Sequence, residues 1–342
     1  MADIVIAGAG IIGLSLALEL ERRGARVTVL EAGKALAQAS TAAGGMLAAE
    51  DPGNPAALLE LSRHSISLYP EFLDRLESLS GERIPFQTSY TLQALESPTE
   101  ALDDARRIVP WLVTGEHRFQ LLDEHSIDPR QLAEVLLAAV RASSIELLEE
   151  NAMTRLASTP DGVRMETASG QTVAGDYLVD CMGAWSPAPV TPVKGQMLAV
   201  ALPAELPLEA VVRTHDTYII PRLTGPNAGR VVIGATVENA GYDKTVKPHD
   251  ILALHARASA LLPQLKDAHF VESWAGLRPS TADGLPILGT TAKQTRYMLA
   301  NGHYRNGILL APATAQVVAD MLERRTPAVD LKVFRPERFQ PA

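Results

Sequence analysis

A chain of 342 residues, 46% hydrophobic and 21% charged, has the makeup of a globular enzyme with room for two lobes and a sizeable core. Its formal charge of −9 argues against a dedicated nucleic-acid surface. A lone cysteine, Cys181, excludes an internal disulfide and a cysteine-built zinc cluster, and no run of eighteen apolar residues offers a membrane span.

Asp3 stands where a signal peptide would carry its basic stretch, so the expectation is a cytoplasmic protein. Residues 3–31 read as one βαβ unit. Asp3-Ile4-Val5-Ile6-Ala7 is short and nearly all apolar, the pattern of a parallel strand buried on both faces. Gly8 to Gly13 is a tight turn. Ile12, Leu14, Leu16, Leu18 and Leu20 give a mostly apolar helix that Gly24 stops, and Arg26 to Leu30 is the second strand. Residues 32–54 are rich in Ala and Gly with little periodicity, and read as a long functional loop.

A helix over 55–80 follows, opened by Pro55, with Leu58, Leu61, Ser65, Leu68 and Phe72 on one face. Ser97-Pro98-Thr99-Glu100 is a capping box with proline at the first helical position. Asp128-Pro129 repeats the device and opens a helix to about Ala142. Strands are then predicted at 145–149, 152–158, 162–168, 177–181, 193–201, 210–214, 217–221 and 230–235, with Cys181 a small buried residue of its strand. A helix at 248–262, strands at 269–276 and 296–300, and a last helix over about 306–324 complete the chain. The fold class is α/β, α+β overall: a Rossmann-like dinucleotide-binding domain with a parallel sheet, and a substrate domain on an antiparallel sheet. The two alternate along the chain. Residues 1–80, 128–192 and 276–342 are assigned to the first domain, and 81–127 with 193–275 to the second.

Gly8-Ala9-Gly10-Ile11-Ile12-Gly13 is a GxGxxG turn between strand and helix. Gly8 makes the turn, Gly10 admits a pyrophosphate, and Gly13 lets helix and strand pack closely. The helix N-terminus, at Ile11 and Ile12, favours phosphate charge. Glu31 ends the second strand, where a carboxylate accepts from a ribose hydroxyl and disfavours NADP. The turn does not separate NAD from FAD. The segment Ala39 to Leu47 helps, because its small residues form the bare backbone floor that a flat isoalloxazine needs.

Together the motifs resemble the D-amino-acid oxidase family of FAD enzymes, most of all the glycine oxidases of thiamine biosynthesis. The resemblance runs through IVIAGAGIIGLSLALEL with VTVLEAG, then ASTAAGGML, YLVDCMGAWS, VKGQMLAV, TYIIPR, WAGLRPSTADGLPILG and NGHYRNGILLAP. Cys181-Met182 departs from the small residues the family more often has before Gly183. The resemblance implies non-covalently bound FAD, since Cys181 is not placed near the C-terminus where related enzymes attach their flavin. It implies that Glu31 and Ala32 hold the adenosine ribose, that Ala39, Ser40, Gly44, Gly45 and Met46 approach the flavin, and that Met153 contacts adenine through its backbone. Gly183 and the stretch His303, Tyr304, Arg305, Asn306, Gly307, Ile308 and Leu309 complete the expected cofactor site.

A small amino acid offers a carboxylate, which calls for a bidentate and always charged partner. Arg278, beyond the apolar strand ending at Gly276, is the residue expected to bind it; the alternative is a structural ion pair with Asp283. Tyr218 is expected to add a hydrogen bond, against the alternative of a core tyrosine. Arg305 and Met46 complete the substrate pocket. His303 receives no proton-transfer role.

The implied reaction is hydride transfer from the substrate Cα to flavin N5, from a neutral amine and without a dedicated base. The imine hydrolyses to an oxo acid and ammonia, and O₂ reoxidises the flavin to give peroxide. The same motifs suit a D-amino-acid or sarcosine oxidase, or a dehydrogenase with another acceptor. A homo-oligomer and hand-off of the imine to a thiazole synthase are further expectations from the resemblance.

Overall fold

The computed structural model describes residues 2–95, 105–159, 161–291 and 294–339. In chain order the elements begin with β1 (Asp3–Ala7), α1 (Ile11–Arg22), β2 (Arg26–Leu30), α2 (Leu59–Ser80), β3 (Phe86–Thr88), β4 (Thr91–Leu95), β5 (Arg118–Leu122), β6 (Ser126–Ile127), α3 (Pro129–Arg141) and β7 (Glu146–Leu148). They continue with β8 (Met153–Thr159), β9 (Gly162–Thr167), β10 (Thr172–Gly175), β11 (Tyr177–Asp180), β12 (Thr191–Ala201), β13 (Val211–Arg213), β14 (Tyr218–Arg222) and β15 (Arg230–Gly234). The last are α4 (Pro248–Leu261), β16 (Phe270–Ser280), β17 (Ile287–Thr291), β18 (Gln294–Asn301) and α5 (Gly307–Leu322).

Two large sheets dominate. One runs β17-β18-β11-β1-β2-β7, parallel except for the antiparallel edge strand β17. The other runs β16-β12-β15-β14-β13-β4-β5 and is antiparallel except where β13 meets β4. The apolar run of β1 is explained by its two neighbours. Ile4 and Ile6 pack into the core shared with α1, α2, α3 and α5, while Val5 and Ala7 pack against the small sheet β8–β10. The seven-stranded sheet builds a separate core with α4, around Leu198, Val212, Ile233 and Leu254. No helix among the described residues is long and apolar enough to cross a membrane.

Asp128 caps α3, its carboxylate accepting from the Arg130 N–H at 3.0 Å. The capping box at 97–100 lies outside the described residues. Strands β3, β4, β5, β6, β10 and β17 were not expected. Most are short, and a run of two to five residues holds too little alternation to stand out. Two expectations need moving. β11 ends at Asp180, so Cys181 follows the strand. β16 continues through Arg278 and Pro279 to Ser280, and its place at a sheet edge is what tolerates the proline.

Candidate active site

The carboxyl ends of β1, β2 and β11 open into a cavity of about 610 Å³, inside the roughly 300–1,000 Å³ range of small-molecule sites. Strand order reverses at β1, with β2 and β7 to one side and β11 and β18 to the other. Such a switch point leaves a crevice, because the connections on either side depart in opposite directions.

The three glycines of the turn are required for different reasons. Gly8 has φ +104, and a Cβ there would strike the Cys181 carbonyl oxygen. A Cβ on Gly13 would overlap the Gly8 carbonyl oxygen, so Gly13 serves the turn and does not line the cavity. Gly10 is ordinary extended backbone, φ −81 and ψ −176, and the nearest atom to its Cβ position is Ser40 Oγ at 3.4 Å. Its bareness leaves open only the cavity itself. Ile11 donates its N–H to Ser40 Oγ at 2.9 Å, and Ile12 lines the cavity beside it. The Glu31 carboxylate accepts from the N–H groups of Ala9 at 2.8 Å and Gly33 at 2.9 Å. Each oxygen keeps a lone pair, and Glu31 and Ala32 both line the cavity.

Ala39, Ser40, Gly44, Gly45 and Met46 line the next part, in the long connection between β2 and α2. The loop is held from the seven-stranded sheet and its surroundings. Trp274 Nε1 donates to the Ala42 carbonyl at 3.1 Å, and Arg222 Nη2 to that of Gly44 at 2.8 Å. The Ile127 N–H donates to the Gly45 carbonyl at 2.8 Å, and Met46 bridges Ser126. Burial lowers the Arg222 pKa to about 10, which leaves it a cation at neutral pH. Sequence reasoning assigned none of these anchors, because each acts on a loop far away in the chain. It also missed Asp180. That buried carboxylate accepts from Ser186 Oγ at 2.5 Å, Tyr297 OH at 2.7 Å, the Met182 N–H at 2.9 Å and Asn301 Nδ2 at 3.1 Å. It thereby ties the end of β11 to the end of β18.

Met153, opening β8, and Gly183, in the turn after β11, also line the cavity. So do His303, Tyr304, Arg305, Asn306, Gly307 and Ile308; Leu309 does not, being buried in the core with its carbonyl accepting from Ser65 Oγ at 2.6 Å. Tyr304 takes a left-handed φ of +47, a strained conformation for a residue with a side chain. The His303 ring is buried with Nε2 3.0 Å from Thr314 Oγ1, and burial pushes its pKa down to about 3.

That shift has a sign. Below the ordinary histidine value of 6.5, the unfolded chain takes up a proton that the folded chain refuses. Stability is therefore fully present above pH 6.5 and declines as the pH falls toward 3. The loss by pH 5 is about 2 kcal/mol. Urea unfolding with saturating cofactor checks it: His303→Gln loses about 2 kcal/mol less than wild type between pH 7.5 and 5. Equal losses in the two proteins would remove His303 as the source.

At the sheet end of the cavity, Arg278 Nη1 donates to the carbonyls of Thr236 at 3.1 Å and Lys194 at 3.3 Å. Asp283 is paired elsewhere, with Arg338 at 2.7 Å, and Arg278 has no ion-pair partner among the described residues. The guanidinium rests over Gly195, where a Cβ would overlap it, and the Tyr218 ring rests likewise over Gly234. Neither glycine has a positive φ, so space is the reason for both. Burial raises the Tyr218 pKa against the opposing pull of Arg278 and Arg305, and its hydroxyl stays protonated. Met46 lines the same end. Arg305 Nη2 pairs with Asp51 Oδ2 at 2.8 Å.

The family model for FAD dependent oxidoreductases matches residues 3–321. The chain is 35% identical to the bifunctional protein ThiO/ThiG of Trichormus variabilis over 99% of this chain, and it spans 55% of that longer relative. It is 33% identical to the glycine oxidase of Pseudomonas aeruginosa, over 97% of this chain and 98% of the relative. The crystal structure of glycine oxidase from Geobacillus kaustophilus matches with a TM-score of 0.91 at 30% identity, covering 100% of both chains.

Proposed function

This chain belongs to the family of FAD dependent oxidoreductases, and on that premise we propose that it oxidises glycine or a similarly small amino acid. The products are the imine, which hydrolyses to glyoxylate or the corresponding oxo acid with ammonia, and hydrogen peroxide from O₂. FAD, when bound, supplies the hydride acceptor and the route of electrons to O₂.

The observation that carries this reading is Arg278, a cavity-lining guanidinium with main-chain acceptors and no carboxylate of its own. A half-buried cation in that state calls for an anionic ligand. The substrate carboxylate meets the guanidinium fork, and the protonated Tyr218 hydroxyl donates a further hydrogen bond. Among the described cavity residues, Glu31 is engaged with backbone N–H groups, Asp51 with Arg305, and His303 is buried and neutral. Each acid is already engaged by a partner and the imidazole is buried, which supports entry of the substrate with its amine uncharged. The protein then acts by placing the Cα–H.

The bare Gly10 suits FAD, and Gly44 and Gly45 line the same cavity, packed so closely against Ile220 and Ile127 that neither has room for a Cβ. Cys181 is buried beside Gly13, and burial with the Asp180 charge holds its thiol protonated, which supports a flavin held without a covalent bond. The two large sheets support division into the two discontinuous domains given above. A cytoplasmic homo-oligomer belongs to the same reading, and the fused ThiO/ThiG relatives support a hand-off to a thiazole synthase.

A peroxide assay on purified, FAD-loaded protein tests it, with glycine, sarcosine, D-alanine and D-proline side by side. Peroxide with the highest kcat/KM on glycine is expected. Substrate that bleaches the flavin without peroxide removes O₂ as the acceptor. No bleaching by any of the four removes the amino-acid reading.

A further inference from the structure

The cavity has two arginines at its substrate end, and their electrostatic states differ. Arg278 has main-chain carbonyls and the Tyr218 hydroxyl as partners, and no carboxylate among the described residues. Arg305 is held by Asp51, Nη2 to Oδ2 at 2.8 Å, and its guanidinium lies over Gly53, whose Cβ position is 3.3 Å from Nη1. Asp51 is itself fixed. Its Oδ1 accepts from the Gly53 N–H at 2.8 Å, and its side chain is 9% exposed. Both arginines act on the Tyr218 hydroxyl, so they belong to one end of the cavity. Behind Asp51, Glu124 is paired with the buried Arg213 at 3.0 Å, so that acid is occupied and does not share Arg305.

We infer that Asp51 determines specificity: by neutralising Arg305 it leaves one anion clamp, so the site takes monocarboxylates and rejects ligands with a second acidic group. The inference rests on Arg278 being the carboxylate clamp proposed above. A second carboxylate near Arg305 meets the Asp51 charge, and it can pair with Arg305 only by displacing an acid already desolvated and hydrogen-bonded there. An incoming anion thus faces repulsion from one group and competition for the other. A ligand with a single carboxylate meets neither, because its charge goes to Arg278 and its small Cα substituent remains uncharged.

Calorimetric titration of the FAD-loaded protein with acetate, malonate and succinate at constant ionic strength tests this by binding alone. Constant ionic strength matters because Arg305 is partly exposed and screening by salt would mimic the effect. In Asp51→Asn the carboxamide oxygen still accepts from the Gly53 N–H, and the charge is gone. The expected result is a fall of at least about tenfold in the Kd of malonate or succinate relative to acetate. Asp51→Glu, which keeps the charge, retains the wild-type ratio. Asp51→Ser offers a second neutral variant that can still accept from the Gly53 N–H, and the same fall is expected there. Ratios within about twofold of wild type in both neutral variants, with acetate still binding, overturn the role of Asp51 and leave the clamp intact. Acetate binding that survives Arg278→Ala overturns the clamp itself, and the inference with it.

Discussion

Arg278→Ala lowers kcat/KM for glycine by roughly a hundred- to a thousandfold, mostly through KM, while the protein stays yellow. Removing one partner of a desolvated, charge-assisted pair costs on the order of 2–5 kcal/mol, and 1.4 kcal/mol is about tenfold. FAD remains because Arg278 lies on β16 in the seven-stranded sheet, away from the turn after β1. Gly195→Ala separates presence of the charge from its placement. The register of β12 on β16 sets Gly195 opposite Gly276 and Val193 opposite Arg278, and the guanidinium folds back over Gly195. A methyl group there displaces the fork and keeps the charge, so KM rises by roughly tenfold or more with folding intact. Steady-state kinetics beside the flavin spectrum read both variants. Near-wild-type kcat/KM in Arg278→Ala rules out this arginine as the carboxylate partner.

Gly10→Leu gives a folded, colourless protein, with FAD affinity reduced at least about a hundredfold. The backbone at Gly10 accepts a side chain, since its φ and ψ are ordinary and its Cβ position is only in normal contact with Ser40. The leucine side chain therefore projects into the space that the pyrophosphate requires, and the fold has no objection to it. Gly13→Ala is the contrasting variant. Its methyl overlaps the Gly8 carbonyl oxygen, so the turn itself is disrupted and stability falls with cofactor binding. Far-UV circular dichroism and the flavin spectrum distinguish the two. A yellow, fully loaded Gly10→Leu protein would show that the cofactor does not pass over this turn.

The first βαβ unit was legible because its signals are local. Strand, glycine turn, apolar helix and acid follow one another within 3–31, and hydrogen bonds between chain neighbours satisfy most of them. The cap at Asp128 was legible for the same reason. Strands such as β3, β6 and β17 were not, because two to five residues carry no period, and β3 and β6 find each other only across β4 and β5. Leu309 shows the limit at the last helix: it lies next to the cavity-lining residues Gly307 and Ile308, and the helical turn carries it into the core.

By itself the sequence determined the GxGxxG turn, the fold class, the arginine at position 278 and the polar stretch before the last helix. These are set by residue type and spacing along the chain. Only the tertiary structure decided which charges are free. It paired Asp283 with Arg338 and so left Arg278 without a carboxylate among the described residues, and it set Asp51 against Arg305 across more than half the chain. It buried His303 into neutrality and hung the cavity-lining loop after β2 on Trp274, Arg222 and Ile127. Charge state and hydrogen-bond partnership depend on distance and burial, and for residues far apart in the chain those quantities do not exist until it folds.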